Sequence, residues 1–366
     1  MIYIHRYGKN YGPYSEKSIR SFLKDGKVTQ KDWAWITKSK RWVLLSDHFA
    51  GKDRENGSHI SASTGSSDAK ASEYLEKILT LVASNEQNMA LDMVQSLNNI
   101  KIFEELLKGC RIEDGVIRVP DHNPPIAELF FLELIAHCPP QAQIHSSLVR
   151  ETVKRLFLCL DDKSGHNDYN TVKSLHPLCK FPNLTELHLI FEYDQMISAE
   201  ALSSLTNLSS LDVIGNLTNI NALSSLTNLK RLSLDGCFEL TNVDALGELK
   251  NLTELFLLGC DSLINLDGIS NLLNLEVFGY SCSVGEISVL DNLNGLRNLN
   301  KLRRLYLSNC SKLYSLDIIT SLKNLTNLNV SYCSQLTDID ALSKLSNLTK
   351  INFHGCDAIK TNPNNA

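Results

Sequence analysis

A short leucine pattern recurs from residue 153 towards the end of the chain, with one copy in each unit of about 23 residues. One copy places Leu229, Leu232, Leu234 and Cys237 in the order L-x-x-L-x-L-x-x-C. The same order recurs from Leu252. Repeats of this length fold as small units that bury their apolar side chains only by stacking on their neighbours. The repeat therefore predicts a solenoid that presents a surface, and it argues against a compact catalytic pocket.

The stacked copies, here called rungs, number nine. The interval between their first residues is nearly constant, except that it is longest after Val153 and is also lengthened after Leu275. The extra residues of the first rung, Asp161 to Asn170, are polar and are expected to form a loop. The predicted rungs begin at Val153, Leu184, Leu208, Leu229, Leu252, Leu275, Leu302, Leu325 and Leu348.

Two periodicities divide each rung. The L-x-x-L-x-L segment alternates apolar and polar residues, which is the period of a β-strand, and stacking pairs these strands in a parallel sheet. The second half repeats with period three, as Val243, Leu246 and Leu249 show, and this period predicts short 3₁₀ segments on the convex side. Asparagine precedes the first leucine of seven rungs, which predicts a ladder of bonds from side chain to backbone. These asparagines are Asn183, Asn207, Asn228, Asn251, Asn274, Asn324 and Asn347.

Six of the ten cysteines lie at or beside one position of the repeat, where the strand ends. Because no C-x-x-C pair occurs, they are interpreted as buried, inert thiols rather than metal ligands or disulfides. They are Cys237, Cys260, Cys282, Cys310, Cys333 and Cys356.

The repeat region, residues 151–366, resembles the leucine-rich repeat superfamily along its whole length. The stretch from Leu336 to Leu348 is similar to the internalin-like repeats of bacteria, and the strand-end cysteine is similar to the cysteine-containing subclass. The resemblance implies an α/β solenoid of right-handed, curved form with a parallel sheet, used for protein–protein binding.

Composition predicts four segments. Residues 1–50 hold ten Lys/Arg against four Asp/Glu and all three tryptophans, so they form a separate domain, while the rest of the chain carries a net charge of −11. Residues 51–70 are rich in Ser, Gly and Lys and predict a flexible linker. Residues 71–150 show helical spacing and predict a helical subdomain that caps the first rung. Residues 151–366 form the solenoid.

The first fifty residues resemble the GYF-like domains of bacteria, a small α+β fold. The resemblance rests on Tyr11-Gly12-Pro13-Tyr14 and on an aromatic pattern that ends in Trp42-Val-Leu-Leu45. It implies binding of proline-rich peptides on an aromatic platform, for which the candidates are Tyr3, Tyr11, Tyr14 and Trp35. The alternative is that these rings form the core of a domain too small to spare them.

Motifs for catalysis or cofactor binding are not found in the sequence. It contains no G-x-x-x-x-G-K, G-x-G-x-x-G, H-E-x-x-H or G-x-S-x-G, and its ten histidines are dispersed. The chain is therefore expected to be no enzyme and to need no cofactor or metal. With no signal pattern and no long apolar run, it is expected to be cytoplasmic, to have no membrane span, and to bind no nucleic acid.

The concave face of the solenoid is the predicted binding site, because aromatic side chains beside arginines commonly anchor protein partners. The leading hypothesis is a bacterial scaffold or adaptor that binds a protein or peptide. The alternative is a secreted effector or adhesin that binds host proteins, and self-association through the C-terminal edge around Ile351 is a further expectation. The candidate residues are Phe157, His188, Arg231, Phe256, Leu258, Arg304, Tyr306 and Tyr332.

Overall fold

The computed structural model describes most of the chain and divides it into two compact units. The first unit comprises Met1–Gly109 and Glu133–His145, and the second comprises Cys110–Leu132 and Ser146–Ala366. The predicted loop 161–170 and the predicted linker residues 51–66 lie outside the described residues. The described residues are 1–6, 9–29, 32–38, 41–46, 48–49, 67–83, 87–97, 99–118, 125–159, 175–191, 193, 196–290 and 292–361.

The first unit begins with an antiparallel four-stranded sheet in the order β2-β1-β3-β4. Its buried core includes Ile2, Ile4, Ile19, Ala34 and Leu45. Because side chains alternate along a strand, the residues between these core positions lie on the other face of the sheet. The elements are β1 (Ile2–Arg6), β2 (Lys9–Tyr14), helix α1 (Glu16–Lys24), β3 (Trp33–Ile36) and β4 (Arg41–Leu44).

Between residues 67 and 137 the described part of the chain contains four helices, in the region where the helical spacing of residues 71–150 predicts helices. They are α2 (Ser67–Ala83), α3 (Gln87–Leu97), α4 (Ile100–Leu106) and α5 (Pro125–His137). The first of them begins at Ser67, inside the range predicted to be a linker. The boundary between the two units falls within α5, so this helix contributes to both.

The second unit contains an 11-stranded sheet in the order β17-β16-β15-β14-β13-β12-β10-β8-β7-β6-β5. Its first two strands, β5 (Arg111–Glu113) and β6 (Val116–Arg118), form an antiparallel hairpin. The hairpin adds to the first rung of the solenoid, because β6 pairs with β7 and the Phe157 amide donates to the Gly115 carbonyl oxygen at 2.8 Å. The hairpin lies within residues 71–150, which the sequence predicts to be a helical subdomain.

In the part of the chain that the structure describes, nine parallel strands follow, and each begins two residues after a predicted rung start. A separate pair of short parallel strands, β9 (Met196–Ser198) and β11 (Asn216–Thr218), lies outside the main sheet. The rung strands are β7 (Arg155–Cys159), β8 (Glu186–Ile190), β10 (Ser210–Ile214), β12 (Arg231–Asp235), β13 (Glu254–Leu258), β14 (Val277–Ser281), β15 (Arg304–Ser308), β16 (Asn327–Ser331) and β17 (Lys350–Asn352).

Short 3₁₀ segments follow these strands, as the period of three predicts, and together with the parallel sheet they confirm the leucine-rich repeat solenoid. The one-turn helix α6 (Asp357–Thr361) follows β17. The 3₁₀ segments that follow the first eight rung strands are His176–Lys180, Ala199–Ser204, Ile220–Ser225, Asp244–Glu248, Asp267–Ile269, Asn294–Leu296, Asp317–Ser321 and Asp340–Lys344; another, Ser146–Leu148, precedes β7.

The asparagine ladder is confirmed in all seven rungs. Each of these side chains donates from Nδ2 to a backbone carbonyl oxygen of the preceding rung, at 2.7–2.9 Å. In the rung that begins at Leu302, the preceding residue is Lys301 instead of an asparagine. Its ammonium group donates to Asn274 Oδ1 at 2.7 Å. The ladder therefore ties consecutive rungs together outside the sheet, as predicted.

The inward leucines form the core of the second unit, and most of them, such as Leu232 and Leu255, are fully buried. Full burial of a leucine contributes about 1.5–3 kcal/mol, so the stacked leucines are the main source of stability. The six strand-end cysteines are also buried free thiols, as the repeat position predicts. Within the described residues, no helix is long and apolar enough to cross a membrane.

Candidate interaction surface

Outward residues of the rung strands lie in columns across the exposed face of the sheet. The middle column follows the predicted order, because each residue is in register with its neighbour on the next strand. The column contains Phe157, His188, Asp212, Ser233, Phe256, Gly279, Tyr306, Asn329 and Asn352.

Charges of opposite sign alternate in the column formed by the first residue of each strand. Arg155 Nε lies 2.7 Å from Glu186 Oε2, and Arg231 Nη1 lies 2.7 Å from Glu254 Oε2. Each pair spans two strands that are direct neighbours. These exposed pairs contribute little to stability, but they neutralise this edge of the face over the first rungs.

Arg304 has no acidic neighbour in register, unlike Arg155 and Arg231 in the same column. Its neighbours in register are Val277 on β14 and Asn327 on β16, and neither carries a charge. Arg304 Nη2 lies 4.0 Å from the Glu254 carboxylate, which Arg231 already binds at 2.7 Å. The Arg304 guanidinium therefore remains exposed, with weak compensation from its surroundings.

A concavity of about 880 Å³ lies on this face over strands β12 to β16. This concavity is called the groove. It brings together six of the eight residues predicted for partner binding, which are Arg231, Phe256, Leu258, Arg304, Tyr306 and Tyr332.

The other two predicted residues lie outside the groove on β7 and β8. Phe157 and His188 stack on each other with ring centroids 4.1 Å apart and an angle of 13° between the rings. His188 Nδ1 lies 3.0 Å from Asp212 Oδ2, and Arg231 Nε lies 3.3 Å from the other oxygen of that carboxylate. The members of this cluster are thus held by ring stacking and ion pairs, although Asp212 Oδ1 is buried and accepts no hydrogen bond within the described residues.

Glycines make room for two aromatic rings of the groove. A Cβ atom at Gly279 would lie 2.6 Å from Cδ1 of Phe256, so the Phe256 ring occupies the space above this glycine. A Cβ atom at Gly355 would lie 2.5 Å from the Tyr332 ring. The Arg231 guanidinium lies 5.1 Å from the Phe256 ring centroid, a cation–π distance. Glycines of neighbouring rungs therefore leave the space that these rings occupy.

Sequence reasoning missed a loop at the rim of the groove. Residues 283–287, here called the rim loop, expose the apolar side chains of Val284 and Ile287, which are 93% and 71% accessible to solvent. Val284 also lines the groove. The one available signal was the interval between Leu275 and Leu302, which is longer than that between most other rung starts.

Hydrogen bonds between polar groups hold the rim loop against its own rung and against the rung before it. The hydroxyls of Tyr280 and Ser288 are both buried and lie 3.3 Å apart, and the Ser283 amide donates to Asp261 Oδ1 at 2.8 Å. Burial raises the pKa of Tyr280 well above its ordinary value, so this hydroxyl keeps its proton. The loop is thus anchored at both ends while its apolar side chains face solvent.

The four aromatic residues predicted to form a platform in the first unit differ in exposure and in packing. Tyr3 and Trp35 are opposite each other in register on β1 and β3, and both are half-buried. Tyr11 on β2 is exposed. Tyr14 packs against the core, with its ring edge-on to Phe22 at a centroid distance of 5.2 Å. Tyr14 therefore fits the alternative of a core ring.

The strand-end thiols have the properties of packing groups. A hydrogen bond with Cys237 and burial raise the pKa of Cys260, and a hydrogen bond with Cys333 and burial act in the same way on Cys310. The same hydrogen bonds lower the pKa of Cys237 and Cys333, but both of these thiols are fully buried. A thiol held in its protonated form is a poor nucleophile. Among the described residues, no group of three His, Cys, Asp or Glu side chains is arranged to hold a metal ion.

Comparison with solved structures finds leucine-rich repeat proteins of bacteria. An internalin C2 of Listeria monocytogenes is 21% identical over 63% of this chain and 93% of its own, with a TM-score of 0.49. A second Listeria monocytogenes internalin is 19% identical over 64% and 82% of the chains, with a TM-score of 0.39. A leucine-rich repeat protein of Leptospira interrogans is 19% identical over 56% and 62%, with a TM-score of 0.35.

Comparison with curated proteins finds no match. Comparison with protein families matches six copies of one repeat, over residues 191–298 and 280–363. The matched family is described as the BspA type leucine rich repeat region. The two ranges span β10 to β17 and the whole groove. Residues 191–363 of this chain are therefore similar to a BspA type leucine-rich repeat region.

Proposed function

We propose that this chain is a non-enzymatic scaffold or adaptor that binds a protein partner in the groove. The observation that carries the proposal is the meeting of Phe256, Tyr306 and Tyr332 with Arg304 in one concavity of a rigid sheet. Aromatic and arginine side chains are the residues that most often dominate the binding energy of protein interfaces. Val284 of the rim loop extends this apolar surface.

Substitution of two groove residues tests the proposal. We expect the double variant Phe256→Ala and Tyr306→Ala to lose the partners that the intact chain captures, as identified by affinity purification and mass spectrometry. Tyr314→Ala is the matched control, because Tyr314 is 65% exposed and does not line the groove. Unchanged partners in a double variant with normal circular dichroism would refute binding in the groove.

A second contact is proposed for the GYF-like segment, which would bind a proline-rich peptide beside Tyr3 and Trp35. The support is the cross-strand position of these two half-buried rings. A synthetic proline-rich peptide titrated into the full chain should quench tryptophan fluorescence, and Trp35→Ala should weaken binding. Tyr14→Phe keeps the core ring and serves as the control. Equal affinity of the Trp35→Ala variant would remove this contact from the proposal.

The place of action is proposed to be the bacterial cytoplasm, with a secreted effector or adhesin that binds host proteins as the alternative. Cell fractionation separates the two, because protein in the culture medium would favour the alternative.

Self-association at β17 is supported by Ile351, which is 47% exposed although its counterpart Leu328 is 2% exposed. Light scattering of the intact chain and of Ile351→Lys tests this association.

A further inference from the structure

The backbone of the groove is closed to a partner chain. Strands β13 to β16 are each hydrogen-bonded to a neighbouring strand on both sides. A partner segment therefore cannot join the sheet and must bind through side chains. An extended segment would find its peptide groups opposite a sheet whose backbone is already paired, so only side chains such as Ser308 and Asn309 could bond them. A helix satisfies its peptide groups internally and needs no such partners.

The dimensions of the face fit a helix. The strands under the groove have five residues each, which corresponds to a width of about 16 Å at about 3.3 Å per residue. A helix with its side chains is about 10–12 Å across. It can therefore lie across the strands, between the charged column and the rim loop.

Polarity also differs across the width of the groove. Arg304 lies at the edge where the strands begin, whereas Leu258, Val284 and Tyr332 lie at the edge where the strands end. Small polar residues, Ser281, Ser308 and Ser331, lie beside them at that edge, and among the described residues no basic side chain lines the groove there. Phe256 and Tyr306 lie between these edges in the middle column. A ligand with an apolar stripe flanked by a charge matches this division, and an amphipathic helix has that form.

Arg304 determines the sign of the charge expected on the ligand. Arg231 is already held between Asp212 and Glu254, at 3.3 Å and 2.7 Å. Arg304 faces Val277 and Asn327 in register, and its distance to the Glu254 carboxylate is 4.0 Å. A carboxylate on the partner would therefore find in Arg304 a guanidinium that can bind it through two parallel hydrogen bonds.

We infer that the groove binds an amphipathic helix of the partner protein, with its apolar stripe on Phe256, Tyr306 and Tyr332 and an Asp or Glu side chain on Arg304. This inference rests on the proposed function and names the kind of segment that the groove takes. The exposed Val284 covers the outer side of the helix from the rim loop.

Two displayed libraries of equal size provide the probes. One randomises the exposed face of a helix in a three-helix scaffold, and the other randomises linear peptides flanked by Gly-Ser segments. Both are selected against the full chain, and clones are then measured against the variants Tyr306→Ala, Arg304→Glu and Arg303→Glu. Arg303 has the same charge and is exposed, but it does not line the groove, so it is the matched control.

We expect the helical library to give the tighter clones, with apolar residues at helical spacing and at least one acidic residue. Their affinity should fall at least tenfold on Tyr306→Ala and on Arg304→Glu, but not on Arg303→Glu. Exchange of the acidic residue for lysine should restore binding to Arg304→Glu.

Two results would overturn the inference, and they differ in what they say of the proposed function. If linear clones bind the groove more tightly, or if Arg304→Glu has no effect on clones that Tyr306→Ala disrupts, the groove binds protein but not an acidic helix. If no clone from either library responds to Tyr306→Ala, the groove is not a binding surface and the proposed function fails as well.

Discussion

The rung of β14 differs from the regular rung of β13 beside it. The β13 rung buries Leu255 and Leu257, as the repeat requires, whereas the β14 rung buries Phe278 and Tyr280 at the same positions in register. Its strand-end cysteine, Cys282, follows two residues after the second inward side chain, where the β13 rung has an interval of three. The rim loop then adds the residues that make this rung longer.

The outward side of the β14 rung differs at the same place. Val277 leaves Arg304 without a charged neighbour in register, and Gly279 gives space to the Phe256 ring. The groove is centred on this rung. The comparison indicates that the regular rungs supply a rigid frame, and that the departures from the repeat supply the candidate site.

The largest expected effect concerns the inside of the irregular rung. Phe278→Ala should lower the free energy of unfolding by about 3–5 kcal/mol, because it removes a fully buried ring from a packed core. Ile287→Ala, in the same rung but 71% exposed, should change it by less than about 0.5 kcal/mol. Urea unfolding followed by circular dichroism measures both. Comparable losses in the two variants would mean that the rim loop is part of the core and not of the surface.

The frame could be predicted from the sequence because each rung repeats the same constraint. Leu255 and Asn251 have counterparts in rung after rung, so one register explains all of them. The rim loop could not be predicted in this way, since a repeat gives no rule for the residues that break it. Aromatic composition alone does not distinguish the two faces of a short strand. It therefore could not decide whether Tyr14 is a platform ring or a core ring.

Substitution of two glycines tests whether an added side chain destabilises the regular rungs more than it destabilises the groove. A Cβ atom at Gly247 would lie 2.7 Å from the Gly268 carbonyl oxygen, and one at Gly279 would lie 2.6 Å from the Phe256 ring. Gly247→Ala should cost about 1–3 kcal/mol, because backbone of the next rung must shift. Gly279→Ala should cost less than about 1 kcal/mol, because the half-exposed ring can rotate, and it should weaken partner binding. The urea midpoints of both variants measure these losses of stability. A larger loss for Gly279→Ala would mean that the groove, and not the regular frame, is the more rigid part.

The hydroxyl pair that anchors the rim loop gives a smaller effect. Tyr280→Phe or Ser288→Ala alone should lower the free energy of unfolding by about 1–2 kcal/mol, because each leaves the other hydroxyl buried without its partner. The double variant should lose less than the sum of the two single variants, since no hydroxyl is then left behind. A double-mutant cycle in urea measures the coupling. Strictly additive losses would show that the pair does not hold the loop.

The last prediction isolates the contribution of the displaced cysteine through pH. Burial and the Asp261 carboxylate raise the pKa of Cys282 to about 12, from an ordinary value of 9.0. Above pH 9 the unfolded chain releases this proton more readily than the folded chain, so the free energy of unfolding should fall as pH rises from 9 towards 12. Cys282→Ser carries a hydroxyl that does not titrate in this range, and its urea midpoint should fall less between pH 8 and pH 10.5. Val284→Ala is the control and should keep the slope of the intact chain, because it leaves the thiol in place. If Cys282→Ser shows the same slope as the intact chain, the displaced thiol makes no contribution of its own to the pH dependence.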